Sequence, residues 1–253
     1  MSKLSDAPPV IVAHSGRSIP GAWSAGAFVS ITVVAWIAAG LLAFLIVGNT
    51  AIILNSDREV GSAIAAFGRD FDVVRRATLV WHYAGGPIGT FALMAVATVW
   101  LLAIKRWWWA LYLVACGLGG LVIAESMKHL VARTRPSWPD ALIVESGGSF
   151  PSGHSMGGIY AWTMVGVVLI YLLARPLGTV LGWILIVFGV LMAPSRLILG
   201  VHWPSDVVAG WLFALGWVLL VSAVAVLLVA KRSLKEAQNN RGYRPLEHST
   251  YSR

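Results

Sequence analysis

Residues Ser195–Asp206 read S-R-L-I-L-G-V-H-W-P-S-D, and they place three ionisable side chains where one apolar segment ends and the next begins. Proline is favoured at the first position of a helix, so Pro204 predicts a helix start. A helix that opens at Pro204 carries Asp206 one turn beyond His202, where its carboxylate can orient the imidazole. Arg196 offers a planar guanidinium that suits phosphate or carboxylate oxygens.

The composition indicates that lipid surrounds most of the chain. Of the 253 residues, 58% are apolar and 12% are charged, and the mean hydropathy is +0.76. A soluble domain carries roughly 25% charged residues, about twice this share. The single cysteine, Cys116, excludes a disulfide within the chain and a cysteine-cluster metal site.

Six stretches without a charged residue predict six transmembrane helices, because a helix needs about 20 apolar residues to cross the hydrocarbon. The predicted helices are 27–49, 82–104, 107–127, 154–174, 177–197 and 205–229. We therefore expect an all-α, polytopic membrane protein. Its parts are an N-terminal tail over 1–23, a six-helix membrane domain over 24–230 and a basic C-terminal tail over 231–253. A soluble all-helical protein is the alternative, and six such stretches argue against it.

The loop 50–81 between the first two predicted spans is long and of mixed charge. Its apolar residues recur with a weak helical period, which predicts an amphipathic segment on the outer surface. His82 directly follows this loop, and His129 lies just beyond the end of the third predicted span. Both are near the outer side of the membrane, and we interpret both as interfacial residues.

The distribution of Lys and Arg predicts the orientation of the bundle. Six spans leave both termini on one side, which collects eleven basic and three acidic residues, whereas the other side holds eight of each. By the positive-inside rule the terminal side is cytoplasmic. The net charge of +8 is then a topology signal near anionic lipid, and we expect no nucleic-acid partner. The compact chain is typical of a bacterial inner membrane protein whose other side faces the periplasm, and an equivalent lumenal space is the open alternative.

Three polar clusters lie on the side of the predicted bundle opposite the two termini. They are K-H-L-V-A-R-T-R-P over 128–136, P-S-G-H over 151–154 and the segment quoted first. Ionisable groups at membrane depth are costly and usually serve a function. Because all three clusters lie at adjacent helix ends, they predict one shared site.

The cations and the helix start in these clusters suit a phosphate group. Lys128, Arg135 and Arg196 supply three positive charges for a dianion and for the charge that develops on its oxygens. Ser152 is a strong N-cap residue, and Gly153 lets the backbone approach a ligand closely. Free N–H groups at such a helix start bind anions readily.

The two histidines of these clusters have different surroundings and suit different roles. His202, oriented by Asp206, is the candidate nucleophile that attacks phosphorus and forms a phosphohistidine. His154 has no carboxylate next to it in sequence and is the candidate general acid for the departing oxygen. Glu125, three residues before Lys128, is interpreted as a local partner of that lysine.

These residues resemble the signature blocks of the type 2 phosphatidic acid phosphatases, the PAP2 superfamily, whose pattern is K-x6-R-P, P-S-G-H and S-R-x5-H-x3-D. The chain matches every fixed position of that pattern: Lys128, Arg135, Pro136, Pro151, Ser152, Gly153, His154, Ser195, Arg196, His202 and Asp206. The resemblance implies a PAP2-type helical bundle that acts without a metal or another cofactor. It implies His202, Asp206 and His154 as catalytic residues and Lys128, Arg135, Ser152, Gly153 and Arg196 as phosphate-binding residues.

The expected function is a membrane phosphatase for a lipid phosphate or diphosphate, such as phosphatidylglycerol phosphate, phosphatidic acid or undecaprenyl diphosphate. The expected partners are this substrate and membrane lipids, and the sequence leaves the oligomeric state open. A lipid phosphotransferase is an open alternative, because water and an acceptor hydroxyl need the same activated histidine. A transporter is a distant alternative, since its ionisable residues would line a path across the membrane, whereas here they cluster at one side.

Overall fold

The computed structural model describes residues 20–138 and 142–242, and every regular element in these two ranges is a helix. In chain order the helices are α1 Pro20–Val47, α2 Ala51–Asp70, α3 Asp72–Ala77, α4 Leu79–Ala84, α5 Pro87–Ala103, α6 Trp107–Val131, α7 Gly153–Gly157, a π-helical segment Gly158–Thr163, α8 Met164–Leu172, α9 Leu177–Ile198 and α10 Pro204–Gly242. The stretch from α7 through the π-helical segment to α8 is one continuous helix, Gly153–Leu172.

Five of these helices are long and apolar enough to cross a membrane, namely α1, α6, the continuous α7–α8 helix, α9 and α10. A sixth span results if the bent pair Asp72–Ala84 and Pro87–Ala103 is taken together, with a bend of 52°. The predicted span 82–104 contains this break. Pro87 stands at the first helical position of α5, where its missing N–H costs nothing, so α5 starts afresh there.

The helix ends confirm that the three polar clusters lie at one end of the bundle. The Arg232 guanidinium lies 4.0 Å from the centre of the Trp108 ring, so the start of α6 is next to the late part of α10. Helix α6 therefore ends, and α10 begins, at the opposite end, where α7 also begins at Gly153.

The core that holds these ends together lies between α6, α7 and α10. Cys116, Phe150, Met156 and Ala161 are fully buried there, and the Phe150 ring meets the Phe213 ring edge to face at 6.3 Å. Helix α1 packs against α10 and contributes Ala39 and Ile46 to this core. Predicted tail residues 1–19 and 243–253 lie outside the described ranges.

Helix α2 is the amphipathic segment predicted for the loop 50–81. Its buried residues are Asp57, Gly61, Ala65 and Gly68, whereas apolar residues that suggested the helical period, such as Phe67, are exposed. The side of α2 that faces the protein is therefore narrow, mostly made of small residues, and carries one carboxylate.

Candidate active site

Backbone hydrogen bonds join the three clusters directly. The Ser149 N–H donates to the Arg133 carbonyl at 2.8 Å, and the Ser152 N–H donates to the Asp206 carbonyl at 3.0 Å. Ala132 adopts φ 45° at the end of α6, a left-handed conformation that ends the helix and turns the chain toward the second cluster. The predicted convergence of the clusters is thus present in the fold.

The start of α7 has the geometry that P-S-G-H predicts. The Ser152 side chain accepts a hydrogen bond from the Ser155 N–H at 3.4 Å and caps the helix. A Cβ atom on Gly153 would lie 3.5 Å from Lys128 Nζ, so the lysine reaches the helix start. Lys128 Nζ also donates to Glu125 Oε1 at 2.7 Å, which confirms the predicted pair.

His202 and Asp206 face each other beneath the site. His202 Nδ1 lies 3.5 Å from Asp206 Oδ2, a distance longer than a normal hydrogen bond. The same oxygen accepts from the Trp203 N–H at 2.8 Å and from the Ser149 hydroxyl. Asp206 has no exposed surface, and His202 is 3% exposed. Water therefore does not compete for the contacts between these two side chains.

The hydrogen bond to the other ring nitrogen assigns the tautomer of His202. Arg135 Nη1 lies 2.9 Å from His202 Nε2, and a guanidinium can only donate. His202 Nε2 is therefore unprotonated and accepts from Arg135, and Nδ1 carries the proton that faces Asp206. Burial lowers the pKa of His202, and the Asp206 carboxylate offsets this only in part, so the ring is neutral near pH 7.

Glu145, which the sequence did not single out, places its carboxylate among the cations of the site. Its oxygens contact Arg196 Nη2 directly and Arg135 Nη1 at 3.0 Å, and they lie 3.5 Å from His82 Nδ1 and 4.0 Å from His202 Nε2. Burial raises the pKa of Glu145, but Arg196, His202 and Arg135 together outweigh it, and the net pKa is lowered. An anion is thus held beside the electron pair of His202.

Arg196 has unused capacity to bind an anion. It is completely buried, its Nη1 donates to His82 Nδ1 at 3.1 Å, and its Nε has no hydrogen-bond partner among the described residues. A buried donor without a partner costs free energy.

His154 lies against His82 on another side of the site. His154 Nε2 is 3.2 Å from the His82 carbonyl oxygen, so Nε2 carries a proton, because a carbonyl only accepts. The His82 and His154 rings are nearly parallel with centres 6.0 Å apart. His82, which the sequence suggested as an interfacial residue, therefore also contacts His154 and Arg196, whereas His129 is exposed as expected.

A cavity of about 700 Å³ extends from these residues between α5 and α6. Its polar end contains Lys128, Arg135, Glu145, His154 and His202. Its walls farther along α5 and α6 are mostly apolar and run from Pro87 to Val99 on α5, roughly 18 Å at the helical rise. The wall residues include Phe91, Val99 and Leu118, which are more than half exposed. Exposed apolar side chains on membrane-spanning helices face lipid, so the cavity opens toward the bilayer.

Taken together, the fold and the site define an integral membrane protein with a buried anion site at the head of an apolar cleft. The model of the PAP2 superfamily matches residues 107–229. A decaprenylphosphoryl-5-phosphoribose phosphatase of Mycolicibacterium smegmatis is 34% identical over 148 residues, which are 54% of this chain and 71% of that protein. This chain belongs to the PAP2 superfamily.

Two further comparisons agree with this assignment. An undecaprenyl-diphosphatase of Sulfolobus acidocaldarius is 34% identical over 107 residues, which are 40% of this chain and 48% of that protein. The crystal structure of a transmembrane PAP2-type phosphatidylglycerolphosphate phosphatase from Bacillus subtilis superposes with a TM-score of 0.64. It covers 81% of this chain and 96% of its own at 23% identity, and so it supports the fold.

Proposed function

We propose that the protein hydrolyses a lipid phosphate or diphosphate through a phosphohistidine on His202. The observation that carries the proposal is the anion site itself: a carboxylate is held by Arg135 and Arg196 next to the unprotonated Nε2 of His202. Replacing that carboxylate by a phosphate group brings phosphorus to the nucleophile.

The first step forms the N–P bond and breaks a P–O bond. His202 Nε2 attacks phosphorus, and the Nδ1–H moves from 3.5 Å into hydrogen-bond distance of Asp206 Oδ2 as positive charge develops on the ring. Arg135, Arg196 and Lys128 neutralise the charge on the non-bridging oxygens. Because Arg135 donates to Nε2 in this structure, the phosphate must draw that guanidinium onto its own oxygens before the attack.

The leaving oxygen takes its proton from the imidazolium form of His154, which becomes the neutral imidazole. The Nε2–H of His154 is now directed to the His82 carbonyl at 3.2 Å, and a leaving oxygen that replaced this acceptor would receive the proton. Ser152 and Gly153 hold the helix start beside the phosphate. Water then attacks the phosphohistidine, gives a proton to His154, and releases phosphate as the N–P bond breaks.

The apolar cleft between α5 and α6 supports a lipid substrate. The polar end of the cavity accepts the phosphate, and walls such as Phe91 and Leu118 accept an apolar chain that enters from the bilayer. Two related proteins are named as phosphatases of decaprenylphosphoryl-5-phosphoribose and of undecaprenyl diphosphate. We therefore propose undecaprenyl diphosphate, phosphatidylglycerol phosphate and phosphatidic acid as the substrates to compare.

The site faces the periplasm of a bacterial inner membrane in this proposal, with both termini in the cytoplasm. The basis is the excess of Lys and Arg on the terminal side. Right-side-out membrane vesicles should release phosphate from an added, membrane-impermeant substrate. Release only after the vesicles are opened would contradict this orientation.

The activity itself is tested with the purified full-length chain in detergent and EDTA, with liberated phosphate followed for each lipid. We expect release without added metal, and loss of release in His202→Ala. His129→Ala, an exposed histidine at the same end of α6, is the matched control and should retain the rate. A strict requirement for Mg²⁺, or full activity in His202→Ala, would overturn the proposal.

A phosphotransferase that passes the phosphoryl group to a lipid hydroxyl is the second candidate, since the same phosphohistidine serves both reactions. Supplying labelled substrate together with an excess of a lipid alcohol separates them. A hydrolase yields labelled inorganic phosphate, and a phosphotransferase yields labelled acceptor lipid. A transporter would give neither product.

A further inference from the structure

Helix α2 belongs to none of the three signature blocks, yet it places a carboxylate beneath the candidate nucleophile. Asp57 on α2 is 3% exposed. Its Oδ1 accepts from the Ser205 N–H at 2.9 Å, and its Oδ2 accepts from the Ser205 hydroxyl at 2.5 Å. Ser205 directly precedes Asp206, so Asp57 holds the first turn of α10.

One guanidinium joins Asp57 to Asp206. Arg133 Nη2 lies 2.6 Å from Asp57 Oδ2, and Arg133 Nη1 lies 2.6 Å from Asp206 Oδ1. Nη1 also donates to Ser205 Oγ at 2.7 Å. The Arg133 side chain is 7% exposed, and its guanidinium carbon lies 5.5 Å from the centre of the Trp203 ring. This chain of contacts therefore lies almost entirely out of water, where charges act strongly on one another.

The two oxygens of Asp206 have separate tasks in this arrangement. Oδ1 is held by Arg133, while Oδ2 faces the Nδ1–H of His202 and accepts from the Trp203 N–H. Arg133 thus fixes the rotation of the carboxylate and withdraws part of its charge from the imidazole. Asp57 in turn withdraws part of the charge of Arg133.

The packing of α2 keeps this contact in place. A Cβ atom on Gly61 would lie 3.4 Å from Pro204 Cδ, and one on Gly68 would lie only 2.6 Å from the Ile198 carbonyl oxygen. Helix α2 therefore lies against both ends of the segment that carries His202. Close packing at two points holds Asp57 against Ser205 in the first turn of α10.

We propose that Asp57 and Arg133 are positioning residues that orient Asp206 and set the basicity of His202. The proposal rests on the proposed phosphatase function, because His202 Nε2 must be unprotonated to attack phosphorus. Neither residue touches the substrate. Their effect passes through Asp206, and it has opposite signs for the two residues because their charges are opposite.

Other charged or titratable groups also face His202, and they are the same in the wild type and in variants of Asp57 and Arg133. Arg135 follows α6 and contacts Nε2, Arg196 at the end of α9 lies nearby, and Glu145 lies 4.0 Å from Nε2. His154 on α7 opens into the same cavity. A change at Asp57 or Arg133 leaves all four in place, so a shift in the titration of His202 reports on the buried pair.

The test is the pH dependence of kcat/KM, whose acid limb reports the free enzyme's essential base. In Arg133→Met the charge of Asp206 is less compensated, protonated His202 is stabilised, and the acid limb should move to higher pH. In Asp57→Asn the charge of Arg133 is less compensated, and the limb should move to lower pH. The double variant should lie between the two single variants.

The rate at the pH optimum gives a second readout. Arg133→Met should lower kcat/KM by about 10²-fold, as expected when a catalytic group shifts by about 1 Å. Asp57→Asn should lower it by about tenfold, the value of one charge-assisted hydrogen bond. Arg133→Lys keeps the charge and loses the fork geometry, so its limb should stay near the wild-type pH while its rate falls.

Arg58→Met and Glu59→Gln are matched controls, since both side chains are exposed on α2 and make the same charge changes. Both should keep the wild-type limb and rate. The proposal is overturned if Asp57→Asn and Arg133→Met lower the rate without moving the limb, or move it in the same direction. Should Arg133→Met fail to accumulate, Asp57→Asn and Arg133→Lys decide the question. Absence of phosphate release from the wild-type protein would instead refute the phosphatase function.

Discussion

In the proposed function a phosphate substrate replaces the carboxylate of Glu145, and Glu145→Gln tests this directly. In the structure Glu145 contacts both Arg135 and Arg196, the same guanidiniums that would bind the phosphate. The amide of glutamine has nearly the same shape and no charge. We therefore expect Glu145→Gln to bind inorganic phosphate more tightly than the wild-type protein.

The size of the effect follows from the two ion pairs. A hydrogen bond to a charged partner contributes about 1.5–3 kcal/mol, and a neutral one about 0.5–1.5 kcal/mol. Two such exchanges weaken the internal competitor by about 2 kcal/mol. This corresponds to a Kd for phosphate that is about 30-fold lower.

Thermal unfolding of the purified protein in detergent, titrated with phosphate, measures this Kd. Without phosphate, Glu145→Gln should unfold at a lower temperature than the wild type, because the buried Arg196 loses its charged partner. Phosphate at about 100 times its Kd stabilises a protein by about 2.7 kcal/mol, so it should restore the variant. Glu59→Gln, the same change at an exposed position of α2, is the control.

A Kd for phosphate that is no lower in Glu145→Gln than in the wild type, together with a lowered unfolding temperature, would contradict this prediction. That outcome would mean that Glu145 supports the site without competing for the anion.

Three further predictions follow from the site and its cavity. Because burial lowers the pKa of His202, the acid limb of kcat/KM should lie below pH 6.5, the ordinary histidine value, and activity should be lost as pH falls through the lowered pKa; a limb above pH 6.5 would contradict this. Leu118→Trp should fill the apolar cleft, and so raise KM at least tenfold for a long-chain lipid phosphate but leave a short-chain phosphate ester unaffected; equal effects on both would exclude the cleft as the lipid site. Gly68→Ala should push α2 away from the Ile198 carbonyl, which should lower the free energy of unfolding by about 1–3 kcal/mol and reduce kcat. Thermal unfolding and phosphate release measure the two effects, and an unchanged rate would show that the position of α2 does not affect catalysis.

The signature residues could be found from sequence because their spacing is local. Ser152 caps α7 and Asp206 lies one turn from His202, and helix geometry alone predicts both relations. The number of apolar spans between the three blocks predicted that they meet at one end of the bundle. These parts of the fold and site depend on few assumptions.

The remaining groups depend on tertiary contacts that no local pattern encodes. Glu145 is a single acid in a loop, and nothing in its neighbours indicates that it reaches Arg196. His82 enters the site only because the chain breaks before Pro87, a break that the Gly85-Gly86-Pro87 sequence could have suggested. The link from Asp57 to Arg133 spans 76 residues and requires α2 to fold back onto the bundle.

The most direct measurement is the capture of the phosphoryl group on the protein itself. Purified protein mixed with ³²P-labelled lipid phosphate in EDTA is quenched within one turnover under alkaline conditions, and the labelled peptide is sequenced. The account predicts an acid-labile, alkali-stable phosphoramidate on His202, absent from His202→Ala. Turnover without label on any peptide, or with label on another residue, would contradict it.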